Sequence, residues 1–375
     1  EVFMENSSSE LFEMTLGKVS QISYRNVSGA AIRIVKGSTE VNTSITDYSY
    51  ENLKNAAKVL AGSFDGVKTT DVLEFVTKEV ETVCNPTRVS SSDASEEIAL
   101  LTKASNAAMS AHEEIKQVIC GLTRKLQNIF VFASDGTYQK DYRCNMRLSV
   151  NCIASDGTSM HSIGKTSGKS VGLEQYETVD VEEFARGVAL DAVEMLHADP
   201  MVGGEMPVVI NNGFGGVILH EACVHGLEAT SVAKGMSVFC GKLGQQVASE
   251  IVNAVDDGTN LNAWGSINVD DEGTPSKCNV LIENGILKSY LVDKRNSKKM
   301  NHPITGSSRR ESYKNMTTSR MTNTYFLNGT STFEEIIANT KYGLFAKRMG
   351  GGSVNPATGE FNFAVNEGYM IEDGK

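Results

Sequence analysis

The chain has 375 residues, of which 40% are apolar, and its 35 basic and 46 acidic residues give a net charge of −11. This acidic balance excludes a general nucleic-acid binder, which is normally basic, and no apolar run approaches the length needed to span a bilayer. The length suffices for a substantial core distributed over two or three domains.

Residues 1–70 are predicted to form a small α/β domain. Apolar and polar residues alternate over residues 10–16 and 30–35, which indicates strands of an antiparallel meander. Ser49 then begins a helix that ends near Gly62 and presents an apolar stripe, composed of Leu53, Ala56, Ala57 and Leu60. We assign no chemistry to this region.

Residues 90–200 are predicted to form an α/β middle domain, which begins after the short polar segment 90–95. A helix follows, with Ile98, Leu101, Ala108 and Met109 along one stripe. Strands are predicted over residues 127–133 and 147–154, because an Asp-Gly turn signal follows each of them. A second helix opens with the capping pattern Asp180-x-x-Glu183.

Residues 205–375 are predicted to form a largely antiparallel β domain that also carries a short motif helix. A strand at residues 207–210 leads through a glycine loop into that helix, and a second helix is predicted near residues 245–252. Asn284-Gly285, between the strand patterns at 278–283 and 286–292, is a strong hairpin signal. The fold class predicted for the whole chain is therefore α+β.

The motif of this third domain is His220-Glu221-Ala-Cys-Val-His225, preceded by Gly213-Phe-Gly-Gly-Val-Ile-Leu219. Two imidazoles beside a carboxylate are typical of a zinc site in which the carboxylate removes a proton from a bound water. Residues five apart lie roughly 140° apart on a regular α-helix. Both rings can therefore reach one ion only if the helix gains a π-bulge or ends at the second histidine. The spacing alone leaves open a buried helix whose histidines merely form hydrogen bonds.

The motif and the segments after it resemble the TldD/PmbA metallopeptidases, on the catalytic TldD-like side. The resemblance covers nearly the whole chain in order. The segments that carry it after the motif are Thr230-Ser-Val-Ala-Lys234, Val255-Asp-Asp-Gly-Thr259, Trp264-Gly-Ser-Ile-Asn268, Asp270-Asp-Glu-Gly-Thr-Pro275, Ser307-Ser-Arg-Arg310, Met349-Gly-Gly-Gly-Ser-Val-Asn-Pro356 and Gly359-Glu-Phe-Asn-Phe363.

The resemblance implies a zinc peptidase in which His220 and His225 bind Zn²⁺ and Glu221 is the general base. It also implies short or unfolded peptides as substrates, and a heterodimer with a PmbA-like partner subunit that lacks the histidine motif. Catalytic zinc normally takes three protein ligands, and in the family the third is a cysteine near the C-terminus of the full-length chain. Glu228 and Cys240 are nearer alternatives within this sequence.

The last residues favour a chain that continues further. Residues 361–371 are strand-like and Asp373-Gly374 resembles the start of a hairpin turn, but no glycine-flanked cysteine follows Phe363. We therefore expect that the sequence is a fragment, that the third ligand lies beyond residue 375, and that the fragment binds zinc weakly and cleaves nothing by itself.

Two further segments are candidates for contact with substrate or partner. Residues 293–320 contain eight basic and two acidic residues, and Arg309 and Arg310 are the candidates there, although a charge run is usually a solvated surface. Gly350, Gly351 and Gly352 are either a flexible connector or a place where another backbone approaches closely. The resemblance favours the second interpretation, with the peptide bound as an added strand.

Two alternative functions remain open at this stage. One is a non-catalytic binding or assembly subunit of the same fold, although the intact His-Glu-x-x-x-His pattern argues against it. The other is a cysteine hydrolase that uses Cys223 and His225, but the sequence assigns no orienting acid to such a pair. The seven scattered cysteines lack any Cys-x-x-Cys pair and indicate reduced thiols, which predicts a cytoplasmic protein.

Overall fold

The structure, a computed structural model, describes residues 1–37, 39–65, 73–89, 94–201 and 203–375. The strands in these ranges are β1 (Val2–Thr15), β2 (Lys18–Lys36), β3 (Thr39–Ile45), β4 (Ile115–Phe132), β5 (Tyr138–Ser155), β6 (Met160–Lys169), β7 (Val208–Ile210), β8 (Ala254–Asp257), β9 (Cys278–Glu283), β10 (Ile286–Leu287), β11 (Ser308–Arg309), β12 (Thr318–Ser319), β13 (Thr324–Phe326), β14 (Tyr342–Val354) and β15 (Phe361–Glu372).

The helices in the same ranges are α1 (Tyr50–Ala61), α2 (Ser95–Met109), α3 (Val181–Leu196), α4 (Val217–Ala222), α5 (Ala229–Val232), α6 (Lys294–Met300) and α7 (Phe333–Ala338). No helix among the described residues is both long and apolar enough to cross a bilayer. The predicted α+β class is confirmed, because the few helices accompany sheets whose strand pairs are mostly antiparallel.

One antiparallel sheet of six strands, in the order β3-β2-β1-β4-β5-β6, combines residues from both of the first two predicted domains. β1 is central: Val2 lies opposite Ile32 of β2 on one side and opposite Phe132 of β4 on the other. The strands predicted at 127–133 and 147–154 are parts of the longer β4 and β5. The predicted boundary at residue 70 and residues 90–93 of the polar segment lie outside the described residues.

Helices α2 and α3 cover one face of this sheet. Alternate residues of β4 point towards them, and Val118, Cys120 and Leu122 are fully buried there. Each large apolar side chain buried in this way stabilises the fold by about 1.5–3 kcal/mol. As predicted, α3 begins at Asp180, whose carboxylate accepts a hydrogen bond from the backbone N–H of Glu183.

The opposite face of the sheet contacts the C-terminal region of the chain. Ile129 of β4 packs there in a small apolar cluster with Phe3 and Tyr313. Further along, Arg143 of β5 is buried and its guanidinium lies 2.8 Å from the carboxylate of Asp271. The face is therefore partly polar, and it lies next to the loops of the third domain.

The C-terminal region contains three smaller sheets, ordered β10-β9-β8-β13, β15-β14-β7 and β11-β12. Its core holds Leu219 of α4 and Val224, which is completely buried, together with side chains from β9 and β10. Helix α4 also contacts β13, β14 and β15. The backbone that carries the two motif histidines is thus held in place by apolar packing.

The predicted hairpin is present, with Asn284 (φ 50°) and Gly285 (φ 75°) both in the left-handed region that its turn requires. Its second strand is shorter than predicted and its ladder ends at Leu287. The prediction of a helix near residues 245–252 is wrong, because the structure has turns there. The N–H groups of Val247 and Ala248 both donate to the carbonyl of Gly285, so the hairpin turn uses the backbone groups that a helix would need.

Candidate metal centre

The backbone changes conformation between the two motif histidines. A 3₁₀ turn at Gly213–Gly216 leads into α4, which ends at Ala222. Cys223 has a φ of −123°, far from the helical value of about −63°, and a second 3₁₀ turn spans Val224–Leu227. Because the helix ends between the histidines, their rings are not held 140° apart. The ring centroids lie 4.7 Å from each other.

Glu221 lies beside both histidines. Its carboxylate oxygens are 4.0 Å from Nε2 of His220 and 3.7 Å from Nε2 of His225. One ligand atom from each of these three residues lies within 4.8 Å of the others. The side chains are 39%, 23% and 21% exposed in the order His220, Glu221 and His225, so a ligand can reach them. Two imidazole nitrogens beside a carboxylate fit an ion such as zinc.

The pKa of His220 is lowered from its ordinary value. Burial is the main cause, because it removes water from the ring, and the neighbouring imidazole of His225 adds to it. A histidine must be neutral to bind a metal through its ring nitrogen. The surroundings of His220 therefore favour the form that can act as a ligand at neutral pH.

Two further residues adjoin the histidines. A carboxylate oxygen of Glu228 lies 3.4 Å from Nδ1 of His225, whereas Glu221 lies near the other ring nitrogen, Nε2. Arg320 lies 3.5 Å from the same oxygen. A carboxylate at the second nitrogen of a metal-binding histidine fixes the orientation of its ring. The sequence pointed to Glu228 only as an alternative ligand, and Arg320 carried no local signal because it lies 95 positions after His225.

A second group of carboxylates, Asp191, Glu194 and Glu367, also lies within reach of one ion in the described part of the chain. Lys165 pairs with Asp191, and Lys347 pairs with Glu367. Because cations already neutralise Asp191 and Glu367, and Glu194 accepts a hydrogen bond from the hydroxyl of Tyr369, this group is part of a polar network that joins α3 to β15. It does not compete with the histidine centre as a metal site.

Comparison with known proteins identifies the family. The PmbA/TldA metallopeptidase family matches the chain in three parts: domain 1 at residues 1–63, the central domain at 88–198 and the C-terminal domain at 203–375. The chain belongs to the PmbA/TldD metallopeptidase family. The family predicted from the motif is thereby confirmed, and as a member the chain is a metal-dependent peptide hydrolase.

Individual relatives agree with this assignment. The chain is 34% identical to the metalloprotease TldD homolog of Haemophilus influenzae over 387 aligned positions, which cover 100% of this chain and 80% of that protein. It is 28% identical to the zinc metalloprotease TldD homolog of Saccharolobus solfataricus, over 61% of this chain and 51% of that protein. TldE from Thermococcus kodakarensis has the same fold, with a TM-score of 0.78 at 20% identity over 100% of this chain and 85% of that one.

Cys223 has the properties of a structural thiol. Its side chain packs against the core cluster that contains Leu219 and Val224. Burial raises the pKa of Cys223 to about 12, so the thiolate that a cysteine nucleophile requires is scarce at neutral pH. The cysteine-hydrolase alternative therefore has no support at this site.

The two candidate arginines of the basic segment lie in different surroundings. Arg309 is exposed and lines the same cavity as His220. Arg310 has a buried side chain, whose guanidinium is 3.1 Å from the carboxylate of Glu1 and lies over the ring of Phe3. The arginine side chain that a substrate can reach is thus Arg309.

The three candidate glycines lie within β14, beside β15. A Cβ added at Gly352 would be 2.2 Å from the ring of Phe363, and one added at Gly350 would be 2.7 Å from Asn366, whereas Gly351 has free space around it. The close approach that glycine permits is therefore made by the chain's own β15. On its other side β14 pairs with β7 over Leu344–Ala346, and none of the described strands pairs with the later part of that edge.

Replacing Glu228 by glutamine is expected to weaken metal affinity or activity by about 10- to 100-fold, the usual effect of removing the carboxylate partner of a metal-binding histidine. The measurement is competition for zinc against a chelator of known affinity, with the exposed Glu250→Gln as the matched control. A variant with unchanged metal affinity and only a lower melting temperature would assign Glu228 a purely structural role.

Proposed function

We propose that this chain is the catalytic, TldD-like member of its family and that it hydrolyses short or unfolded peptides with Zn²⁺ as its metal. The observation that carries the proposal is the convergence of His220, Glu221 and His225. These residues share one half-buried site although a regular helix would separate the two rings. A non-catalytic binding or assembly subunit would not need all three side chains in one place.

The proposed role of each residue follows from its chemistry. His220 and His225 hold the ion through ring nitrogens, and imidazole ligands favour zinc over magnesium or calcium, which prefer oxygen. When bound, zinc lowers the pKa of a coordinated water towards neutrality and polarises the substrate carbonyl. Glu221 accepts the proton of the attacking water and passes it to the leaving amine. Glu228 holds the ring of His225 in its orientation.

The third zinc ligand is a separate proposal. Glu228 faces the second nitrogen of His225 and is not one of the three residues whose ligand atoms converge. We therefore keep the cysteine implied by the family resemblance as the proposed third ligand, and Glu228 as the residue to test if that cysteine is dispensable.

The proposed substrates and partner follow from the fold. Beyond Ala346 this edge of β14 has no strand partner among the described residues, and β14 also contacts α4. We propose that an extended peptide pairs there as an added strand close to the histidines. Such pairing uses main-chain groups and suits unfolded peptides, because it does not itself depend on their side chains. The shared fold of TldE fits an assembly of two related subunits. We propose a heterodimer with a PmbA-like subunit, in the cytoplasm, where the free cysteines stay reduced.

Removal of the metal tests the proposal directly. The full-length protein, purified with and without its partner subunit, is expected to contain stoichiometric zinc and to cleave an unstructured peptide. Extensive chelation should abolish cleavage, and added zinc should restore it. Undiminished cleavage after chelation would contradict the proposal and would favour a metal-independent mechanism.

A further inference from the structure

A large cavity lies between the six-stranded sheet and the C-terminal region, and His220 is part of its wall. Its volume is about 720 Å³, which is within the usual range for a ligand-binding site. Strands β1, β2, β4 and β5 line one side of it, and Trp264, Arg309 and Met321 line the other. A molecule bound in this cavity therefore lies next to the proposed metal centre.

The wall of the cavity is strongly basic. Six arginine or lysine side chains line it, but Glu10 is its single carboxylate. Arg124 is already paired with Glu10 and Glu97. The remaining five cations form what we call the basic basin, which consists of Arg25, Lys125, Arg147, Arg309 and Arg320. Such a concentration of positive charge is unexpected in a protein whose net charge is −11.

Most cations of the basic basin lack an acidic partner. Within the described part of the chain, Arg25, Lys125, Arg147 and Arg309 form no ion pair, and Arg320 contacts Glu228. Unpaired charges held this close repel one another, so an anion that enters the basin gains electrostatic energy.

The side chains of the basin suit carboxylates. A guanidinium presents two parallel N–H groups that match the two oxygens of a carboxylate. Arg147 lies over the ring of Trp264, 5.3 Å from its centroid, which restricts its orientation. Leu11 and Met321 add apolar surface to the same cavity, so the basin can hold the apolar parts of a peptide together with its carboxylates.

We propose that the basic basin binds carboxylate groups of the peptide substrate and makes this chain selective for acidic peptides. This inference rests on the proposed function, because it assigns a substrate class to the same site. The carboxylates belong either to aspartate and glutamate side chains or to the peptide C-terminus. In both cases the bound carboxylate keeps the neighbouring peptide bonds near His220.

Binding of three labelled peptides tests the inference without requiring cleavage. The first peptide has glutamates and a free C-terminus, the second has glutamine in place of each glutamate, and the third has a C-terminal amide. Fluorescence anisotropy is measured on full-length, zinc-loaded protein with Glu221→Gln, so that cleavage is slow compared with the binding measurement. We expect at least one neutralised peptide to bind about tenfold more weakly, the scale of one lost hydrogen bond between charged groups.

The comparison identifies the source of the carboxylate. Weaker binding of the glutamine peptide would show that the basin binds the carboxylates of acidic side chains. Weaker binding of the amidated peptide would show that it binds the C-terminal carboxylate. Equal binding of all three peptides would overturn the inference. The preference should also decrease as salt is added, because screening weakens the attraction between charges.

Substitutions in the basic basin test whether its cations cause the preference for peptides with carboxylates. The pair Arg147→Gln and Arg309→Gln should remove the preference, and Arg309→Lys should retain part of it. The partly exposed Arg186→Gln on α3, away from the basin, should leave it unchanged. Persistence of the full preference in the double variant would overturn the inference. If the protein cleaves peptides without any charge preference, the inference about the basic basin is wrong and the proposed function stands. If it prefers acidic peptides but cleaves none, the proposed function is wrong.

Discussion

Replacing His220 or His225 by alanine is expected to remove the bound metal and reduce peptide cleavage below detection. The imidazoles are the two nitrogen donors of the centre, and a zinc ion that loses one of them keeps too few protein ligands. The fold should persist, because the apolar packing of this segment comes from Leu219 and Val224 and because both histidine side chains are partly exposed.

The measurement combines zinc analysis, cleavage of an unstructured peptide and thermal unfolding of the same samples. His161→Ala is the matched control, because His161 lies on β6, in the six-stranded sheet, and is not part of the metal centre. Full activity and full zinc content in His220→Ala or His225→Ala would remove the residue concerned from the site. A large loss of melting temperature without loss of metal would assign a structural role instead.

Glu221→Gln is expected to separate chemistry from binding. The amide keeps the size of the side chain and its ability to form hydrogen bonds, but it cannot accept a proton at neutral pH. Metal content should stay near that of the unaltered protein, and turnover should fall by at least ~100-fold, the usual scale for loss of a general base. The Michaelis constant should change little, because no group that binds substrate has been removed.

This prediction is tested by zinc analysis and steady-state kinetics on the same preparation of the Glu221→Gln protein. The control is Glu228→Gln, which should weaken metal affinity, so the two carboxylates beside His225 should give opposite patterns. If Glu221→Gln instead lost its metal, Glu221 would be a ligand. Retained turnover with full metal content would transfer the role of base to another group.

Several features of the fold and the site were determined by the local sequence. The hairpin at Asn284-Gly285 was predictable because a turn with two positive φ angles accepts few residue types. The start of α3 at Asp180 was predictable because a side-chain cap acts over three residues. The family was predictable because the histidine motif and the segments after it occur in order over residues 213–363, and the family match extends over all three parts of the chain.

Other features depended on contacts between distant parts of the chain. The helix predicted at residues 245–252 does not form, because the carbonyl of Gly285 takes two of its N–H groups. The six-stranded sheet crosses a predicted domain boundary, because β1 pairs with β4 more than a hundred residues later. Neither contact could be predicted from the spacing of apolar residues within the segments involved.

The metal centre shows the same division. The sequence determined that two imidazoles and a carboxylate lie close together along the chain, and that a regular helix cannot direct both rings to one ion. Only the tertiary structure decided that the helix ends at Ala222, that Arg320 supports Glu228, and that Arg309 faces a cavity while Arg310 is buried. The physical reason is that local spacing restricts neighbouring residues, whereas burial and charge pairing depend on which distant strands pack against them.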